Sequence, residues 1–458
     1  LDEMSRPQGK AISWILNGLT VKADWVGSNP DWFPSEAAEF QLIDYWVVAK
    51  KRAVEALEAA GLDEAKPSID SAKQILPASF ELRPMQTTAL ECSVPAGPTL
   101  AIIEDSTGSG KTEASLMLAS RFMELDKAHG IFFALPTMAT ANAMIDRLEI
   151  AASALFATPY SLALSHGRAK YSDTFRRLQS TAKSNPESGP HCGPWLADDR
   201  RKVLLADIGV GTIDQALLAV LPTRFNGLRF KALARKVLIV DEAHSYEPYI
   251  QAQLERLLMF HARLGGSAIV MTATLPIAMK SSLIKSFNIG LERERPIDRG
   301  QNRQNDPGSQ INQPYPALTT VSREVSVAKV SPGPSTVRCV EMEHLSSVDQ
   351  AAQIVANASK TGAACVWVRN AVDDAIQASQ KLRALGVKAD LLHARFAICD
   401  RIKKEQAIQA VFGRDRPGQC RDNQEGHVLI ATQVVEQSLD LDFDVMVSDL
   451  APIGSVIQ

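Results

Sequence analysis

Apolar residues recur at helical spacing through positions 1–60. Ile12, Ile15, Leu16 and Leu19 form one such face, and Phe40, Ile43, Trp46 and Val47 form a second. The Gly27-Ser28-Asn29-Pro30 break separates them. A polar connector runs from Gly61 to Ala72. From Thr99 the pattern changes. Short, unbroken apolar runs at 99–103, 131–135, 203–206, 237–240 and 268–271 alternate with helical patterns. Unbroken apolarity means burial on both faces, which predicts a parallel sheet covered by helices. Residues 290–335 lose all periodicity and are rich in Gln, Asn, Pro, Arg and Ser, the composition of a linker or long insertion. Its arginines 293, 295, 299 and 303 could meet nucleic acid, although a solvated linker face accounts for them as well. A second alternating block predicts strands at 363–368, 389–393, 428–431 and 445–447, with helices at 349–359, 373–385 and 400–412 between them. The expected division is a helical segment at 1–60, a sheet domain at 75–290, a linker at 291–345 and a second sheet domain at 346–458.

Composition narrows the class. At 458 residues the chain has room for about two or three separate cores. Hydrophobic residues at 45% and charged residues at 22% describe a globular protein rather than a disordered one. No apolar run reaches the roughly 18 residues of a membrane span, and no secretory signal pattern opens the chain. A formal net charge of −3 gives no global pull toward nucleic acid but leaves room for a local basic groove. The six cysteines form no Cys-x-x-Cys pair, so zinc and redox chemistry have no support. Reduced, packed thiols suit a cytoplasmic location. Because the first residue is Leu1, the chain is not expected to begin at its own start codon.

The candidate chemistry sits just past the C-terminal ends of the expected strands, where open α/β sheets bind ligands. Ser106-Thr107-Gly108-Ser109-Gly110-Lys111-Thr112 joins the first strand to a helical pattern at 113–125. Strand, glycine turn and helix N-terminus form a phosphate cradle, with N–H groups and the helix dipole aimed at the anion. Lys111 would reach the β- and γ-phosphates of ATP, and Thr112 would ligate Mg²⁺. The full pattern has glycine where this chain has Asp105, so a plain glycine turn capping a helix is the competing reading. Later strand ends carry Pro136-Thr137, the stretch Asp207 to Asp214 with Thr212, Asp241-Glu242-Ala243-His244 and Thr272-Ala273-Thr274. Adjacent carboxylates at a buried strand end repel one another and are costly to desolvate, and a divalent cation makes the arrangement reasonable. Asp241 would hold the Mg²⁺ water shell, and Glu242 would orient and deprotonate the attacking water. A helix N-cap pair is the alternative. Gln86 could read an adenine edge or be an ordinary surface residue. Asp24 reads first as a capping or salt-bridged acid and second as a metal ligand.

Two α/β domains with nucleotide chemistry in the first resemble a superfamily 2 helicase. That resemblance implies two RecA-like domains with ATP between them and a single strand of nucleic acid crossing both. Gln86 is similar to the adenine-sensing glutamine, and Ser106 to Thr112 to the Walker A loop. Asp241 to His244 resembles the DEAH form of Walker B, and Thr272-Ala273-Thr274 the motif that couples hydrolysis to domain movement. Thr432 and Gln437 to Asp440 resemble the nucleic-acid and ribose contacts of the second domain, with Ser438 where glycine is usual. The stretches 135–144, 210–217, 241–246 and 434–440 resemble the CRISPR-associated type I helicase–nuclease family. The implied grip on DNA phosphates uses Thr137, Asn142, Thr212, Thr432 and Gln437. The implied partners are single-stranded DNA, moved 3′ to 5′, and the Cascade surveillance complex. Residues 19–29 resemble the last helix of the family's HD nuclease, making Asp24 a candidate ligand for a transition-metal ion of the complete nuclease. No histidine precedes His129, and the chain stops before the family's arginine-rich motif, so a fragment with no DNA cleavage and weak ATP turnover is expected. A DEAH-type RNA helicase and a non-enzymatic nucleotide- and DNA-binding fragment remain as alternatives.

Overall fold

The computed structural model describes residues 6–35, 41–69, 71–77, 79–165, 192, 194–198, 200–291, 314–333, 340–413, 426–435 and 441–451. The chain divides into two compact units, Leu1–Val337 and Arg338–Gln458.

The first unit is built on one sheet. Its strands are β1 (Leu100–Glu104), β2 (Gly130–Leu135), β3 (Leu162–Ser165), β4 (Ile208–Thr212), β5 (Lys236–Val240), β6 (Ala268–Thr272), β7 (Ala317–Val321) and β8 (Val325–Lys329). Their order is β3-β4-β2-β5-β6-β1-β7-β8. All pairs from β3 to β1 are parallel, whereas β7 and β8 run antiparallel. Every residue of the parallel strands is buried, as their unbroken apolarity requires. One face packs Met117, Phe122 and Phe133, and the other packs Phe132, Leu258 and Phe287.

Three differences from the sequence pattern have physical causes. The run 203–206 is not a strand; its first residue ends the short helix Arg200–Val203, and the strand is β4. That strand hides its apolarity behind glycines. A Cβ at Gly209 would lie 2.7 Å from the Phe132 ring, and one at Gly211 would lie 2.5 Å from the Ser165 carbonyl oxygen. Asp207 therefore stands at the entry to β4, at the opposite end of the strand from Thr212. It accepts from Ser161 N (2.8 Å), Ser161 Oγ (2.7 Å) and Ala65 N (3.3 Å), a tie between chain segments. The four-residue strand β3 also escaped the pattern. Finally, part of the stretch expected to be a linker forms the β7–β8 hairpin, whose β7 is buried while β8 is largely exposed. Its Thr and Ser positions break the apolar run that would have revealed it.

Helices Arg6–Gly27 and Leu42–Ala59 precede the sheet. The first packs on helix Asn226–Ala234 through Trp14, which stacks on Phe230 at 4.7 Å and meets Phe260 at 4.8 Å. Gly18 allows the close approach, since a Cβ there would lie 2.3 Å from the Gly227 carbonyl oxygen. The connector is stitched to the sheet domain by Ser68 N on Leu155 O (2.9 Å), Ala157 N on Lys66 O (2.8 Å) and the Glu64–His129 pair (3.0 Å).

The second unit holds β9 (Cys365–Val368), β10 (Ala389–Leu392), β11 (Val428–Ala431) and β12 (Val445–Ser448), all parallel, in the order β10-β11-β9-β12. Helices Val348–Lys360, Val372–Ala384 and Ile398–Phe412 separate the strands along the chain, as the periodicity predicts. Among the described residues, no helix is long and apolar enough to cross a membrane.

Candidate active site

Five strand ends of the first sheet carry the expected polar residues. Beyond β1 the chain turns through Gly108 (φ 72°) and Gly110 (φ 88°), left-handed conformations that glycine adopts without strain. Helix Lys111–Glu124 begins directly after Gly110. Asp105, which replaces the motif's first glycine, is not among the positive-φ residues, so its backbone demands no glycine. Its Oδ1 instead accepts from Ser106 N at 2.8 Å and caps the turn. Lys111 folds back over this loop, and its Nζ donates to the carbonyl oxygens of Asp105 and Ser106, both at 2.8 Å. The side chain of Lys111 is buried, with the residue only 8% exposed. Ser109 Oγ is buried without a hydrogen-bond partner among the described residues, a polar atom left for a ligand. Thr107 and Gly108 are exposed at the rim, and Thr112 is the second residue of the helix.

Gln86 is not a surface residue. It is 3% exposed, its Oε1 accepts from Arg83 N at 2.9 Å, and its Nε2 donates to Gly110 O at 3.5 Å. Arg83 completes the contact by donating to the Gly108 carbonyl oxygen. Sequence reasoning missed Arg83, although its place three residues before Gln86, at the N-cap of helix Pro84–Glu91, was a usable signal.

Asp241 follows β5, with its N–H on Ala134 O at 2.9 Å. Burial, reinforced by the neighbouring Glu242 charge, pushes its carboxyl up to about 7, and the Lys111 ammonium pulls in the opposite direction. Glu242 holds a left-handed backbone (φ 47°), stored strain for a residue with a side chain. Its Oε2 is buried without a hydrogen bond among the described residues, 3.4 Å from His244 Nδ1. His244 Nδ1 sits 2.8 Å from Thr272 Oγ1, which donates to Thr274 O at 2.7 Å. That hydroxyl proton is committed to Thr274, so the imidazole N–H must be the donor to Thr272. The acid pair and the Thr272–Thr274 turn are thus joined through one imidazole.

The Thr112 hydroxyl and the Asp241 carboxyl are hard oxygen donors, the ligand chemistry that suits Mg²⁺. Asp24 is exposed and accepts from Ser28 Oγ at 3.3 Å, and no group of three or more metal-ligating side chains occurs among the described residues.

The candidate nucleic-acid residues divide between the units. Thr212 ends β4 and pairs with Leu135 of β2; Thr137, two residues further on, caps helix Met138–Leu155 through Thr140 N at 3.2 Å. Both threonines therefore stand at the C-terminal edge of the parallel strands. Asn142 lies on that helix, but its side chain is outside the described residues. Thr432 follows β11 in the second unit, with its N–H on Leu392 O at 3.2 Å. Gln437, Ser438 and Asp440 lie outside the described residues, as do Arg293, Arg295, Arg299 and Arg303.

Residues 83–281 match the family model for DEAD/DEAH box helicases, and residues 361–458 match the one described as CRISPR-associated nuclease/helicase Cas3, C-terminal. The chain is 34% identical to the CRISPR-associated endonuclease/helicase Cas3 of Escherichia coli over 97% of its own length and 50% of that protein's. It is 32% identical to the Thermus thermophilus protein of the same description, over 96% and 51%. Among solved structures it is similar to T. fusca Cas3 with AMPPNP, at TM-score 0.81 and 30% identity, covering 98% of this chain and 51% of that one. A CRISPR RNA-guided surveillance complex in a pre-nicking state contains a chain similar at TM-score 0.68 and 27% identity, with 98% and 48% covered. The chain spans about half the length of the curated relatives it matches. Its two sheets, its phosphate loop and acid pair, and these matches together place it in the CRISPR-associated Cas3 nuclease/helicase family.

Proposed function

We propose that this chain is the ATP-driven motor part of a Cas3-type protein, translocating 3′ to 5′ on single-stranded DNA in the cytoplasm. The observation that carries this reading is the phosphate loop set against the acid pair, close enough for the Lys111 charge to act on the Asp241 carboxyl. Lys111 would leave its two loop carbonyls for the β- and γ-phosphates of ATP, to which the Ser109 hydroxyl would add a hydrogen bond. Gln86 would read the adenine edge, with Asp440 on a ribose hydroxyl. Thr112 and Asp241 would hold Mg²⁺, which supplies charge neutralisation at the phosphates when bound. Glu242 would orient and deprotonate the attacking water, and its position beside His244 would tie that step to Thr272 and Thr274. Thr137, Asn142 and Thr212 would grip DNA phosphates on the first unit, with Thr432 and Gln437 on the second. Contacts of this kind position the strand without reading its bases. Recruitment to DNA opened by a Cascade-type complex is supported by the likeness to a chain in a surveillance complex. In a complete family member Asp24 would be one ligand of the nuclease metal.

The test is ATP turnover with single-stranded DNA or RNA of matched sequence, using Lys111→Ala as the inactive control. Stimulation by DNA alone supports the reading. Stimulation by RNA alone overturns it in favour of an RNA helicase. Nucleotide binding without turnover in either case leaves a nucleotide- and DNA-binding module.

A further inference from the structure

A charged pair lies buried behind the phosphate loop, and nothing in the motor reading uses it. Glu104 is the last residue of β1, immediately before the loop, and Lys280 is on helix Ile277–Gly290. Lys280 Nζ donates to Glu104 Oε2 at 2.5 Å, with the two side chains 1% and 7% exposed. Removing two charges from water is costly, and such pairs are often replaceable by apolar residues without loss of stability. Stability alone is thus a weak account of this pair, and its location suggests another.

Glu104 stands directly beside Thr272 in the β1–β6 ladder, and the next N–H, of Asp105, donates to Thr272 O at 3.3 Å. Thr272 is the residue that meets His244. After Thr272 the chain turns through 273–276 and enters the helix that bears Lys280. This turn is therefore clamped at both ends. The ladder holds its start, and the ion pair holds its exit to the residue that opens the phosphate loop. On the loop side, the Asp105 carbonyl holds Lys111. A shift of the loop when Lys111 moves to a phosphate would be felt at Glu104 and passed to Lys280.

We propose that Glu104 and Lys280 are a positioning pair that transmits nucleotide occupancy of the phosphate loop to the Thr272–Thr274 turn and helix Ile277–Gly290. This rests on the nucleotide-site reading above. The pair touches neither phosphate nor water in the reaction. It sets the geometry of residues that do, where misplacement by about 1 Å costs up to about a hundredfold in rate.

Hydrogen–deuterium exchange on the whole chain, with and without a non-hydrolysable ATP analogue and Mg²⁺, tests the inference. The wild type is expected to gain protection at 105–112 and at 272–283. Glu104→Gln or Lys280→Met alone strands a buried charge and is expected to destabilise the chain. The double variant removes both charges and is expected to regain the wild-type melting temperature and nucleotide affinity. It is expected to keep protection at 105–112 and lose at least half of it at 272–283. Unchanged protection at 272–283 in the double variant overturns the inference, as does a wild type protected only at 105–112. A wild type protected at neither segment overturns the nucleotide-site reading itself, and the inference with it.

Discussion

Glu242 is the side chain to which the proposed function gives the role of base. Its backbone is left-handed, and one carboxylate oxygen has no hydrogen bond among the described residues. Glu242→Gln keeps size and polarity but removes the proposed base. Hydrolysis is expected to fall about 10²–10⁴-fold with ATP affinity nearly unchanged, as measured by turnover and by titration with a fluorescent nucleotide. Equal loss of affinity would give Glu242 a binding role instead. Asp241 supplies a pH dependence. Its folded pKa of about 7 lies above the ordinary carboxyl value of 3.8, so the folded state holds a proton that the unfolded state has released. The sign follows. This group stabilises the ligand-free fold at low pH, and that contribution is lost as pH rises through about 7. Mg²⁺ requires the deprotonated form, so Mg²⁺–nucleotide affinity is expected to increase across the same interval. Asp241→Asn should flatten that increase in calorimetric titrations at several pH values. An equally steep profile in the variant would move the titration to another group.

At the scale of elements, glycine contacts decide how helices and strands approach. Helix Arg6–Gly27 reaches helix Asn226–Ala234 only because neither Gly18 nor Gly227 has a side chain at the crossing. Gly18→Ala is expected to force them apart at a cost of about 1–3 kcal/mol, read as a lower melting temperature and faster proteolysis near residue 27. Nucleotide affinity should not change, since the crossing is remote from the phosphate loop along the chain and in the sheet. If it fell, the N-terminal helix would have to be part of the active-site scaffold. Elements with unbroken apolar runs are legible in the amino-acid order, and β1, β2, β5, β6 and the four strands of the second unit stand at or within a residue or two of the expected places. Misreadings arise where side-chain size rather than hydrophobicity sets the sequence. β4 needs glycines against Phe132 and Ser165, so an apolar scan slides onto its neighbouring run. β7 mixes Thr with apolar residues and is absorbed into a polar stretch.

At the scale of the whole molecule, the net charge of −3 means that any hold on DNA must come from local contacts. Binding through backbone phosphates is expected to weaken with salt, by about 0.7 in log affinity per log unit of salt for each phosphate neutralised on a single strand. Fluorescence anisotropy with a labelled oligonucleotide over a salt series measures that slope. A flat series would mean that stacking or base contacts, not phosphates, carry the binding. The chain spans about half the length of the curated relatives it matches, and the slope counts the phosphates held by that span.

The amino-acid order alone determined the class of the molecule: two α/β units, the first with a mostly parallel sheet that carries a phosphate loop and an acid pair at its strand ends, the second with a parallel one. Burial on both faces and the small residues of a tight turn leave their mark on contiguous residues, so local patterns suffice. Tertiary structure decided what depends on residues far apart in the chain. It buried Gln86 against Gly110, moved Asp207 to the other end of its strand, and joined His244 to Thr272. It also paired Glu104 with Lys280 across 176 positions. A lone charge or amide in a sequence has no sign of its partner, because the partner is chosen by strand order and by the free energy of leaving water, which only the folded chain defines.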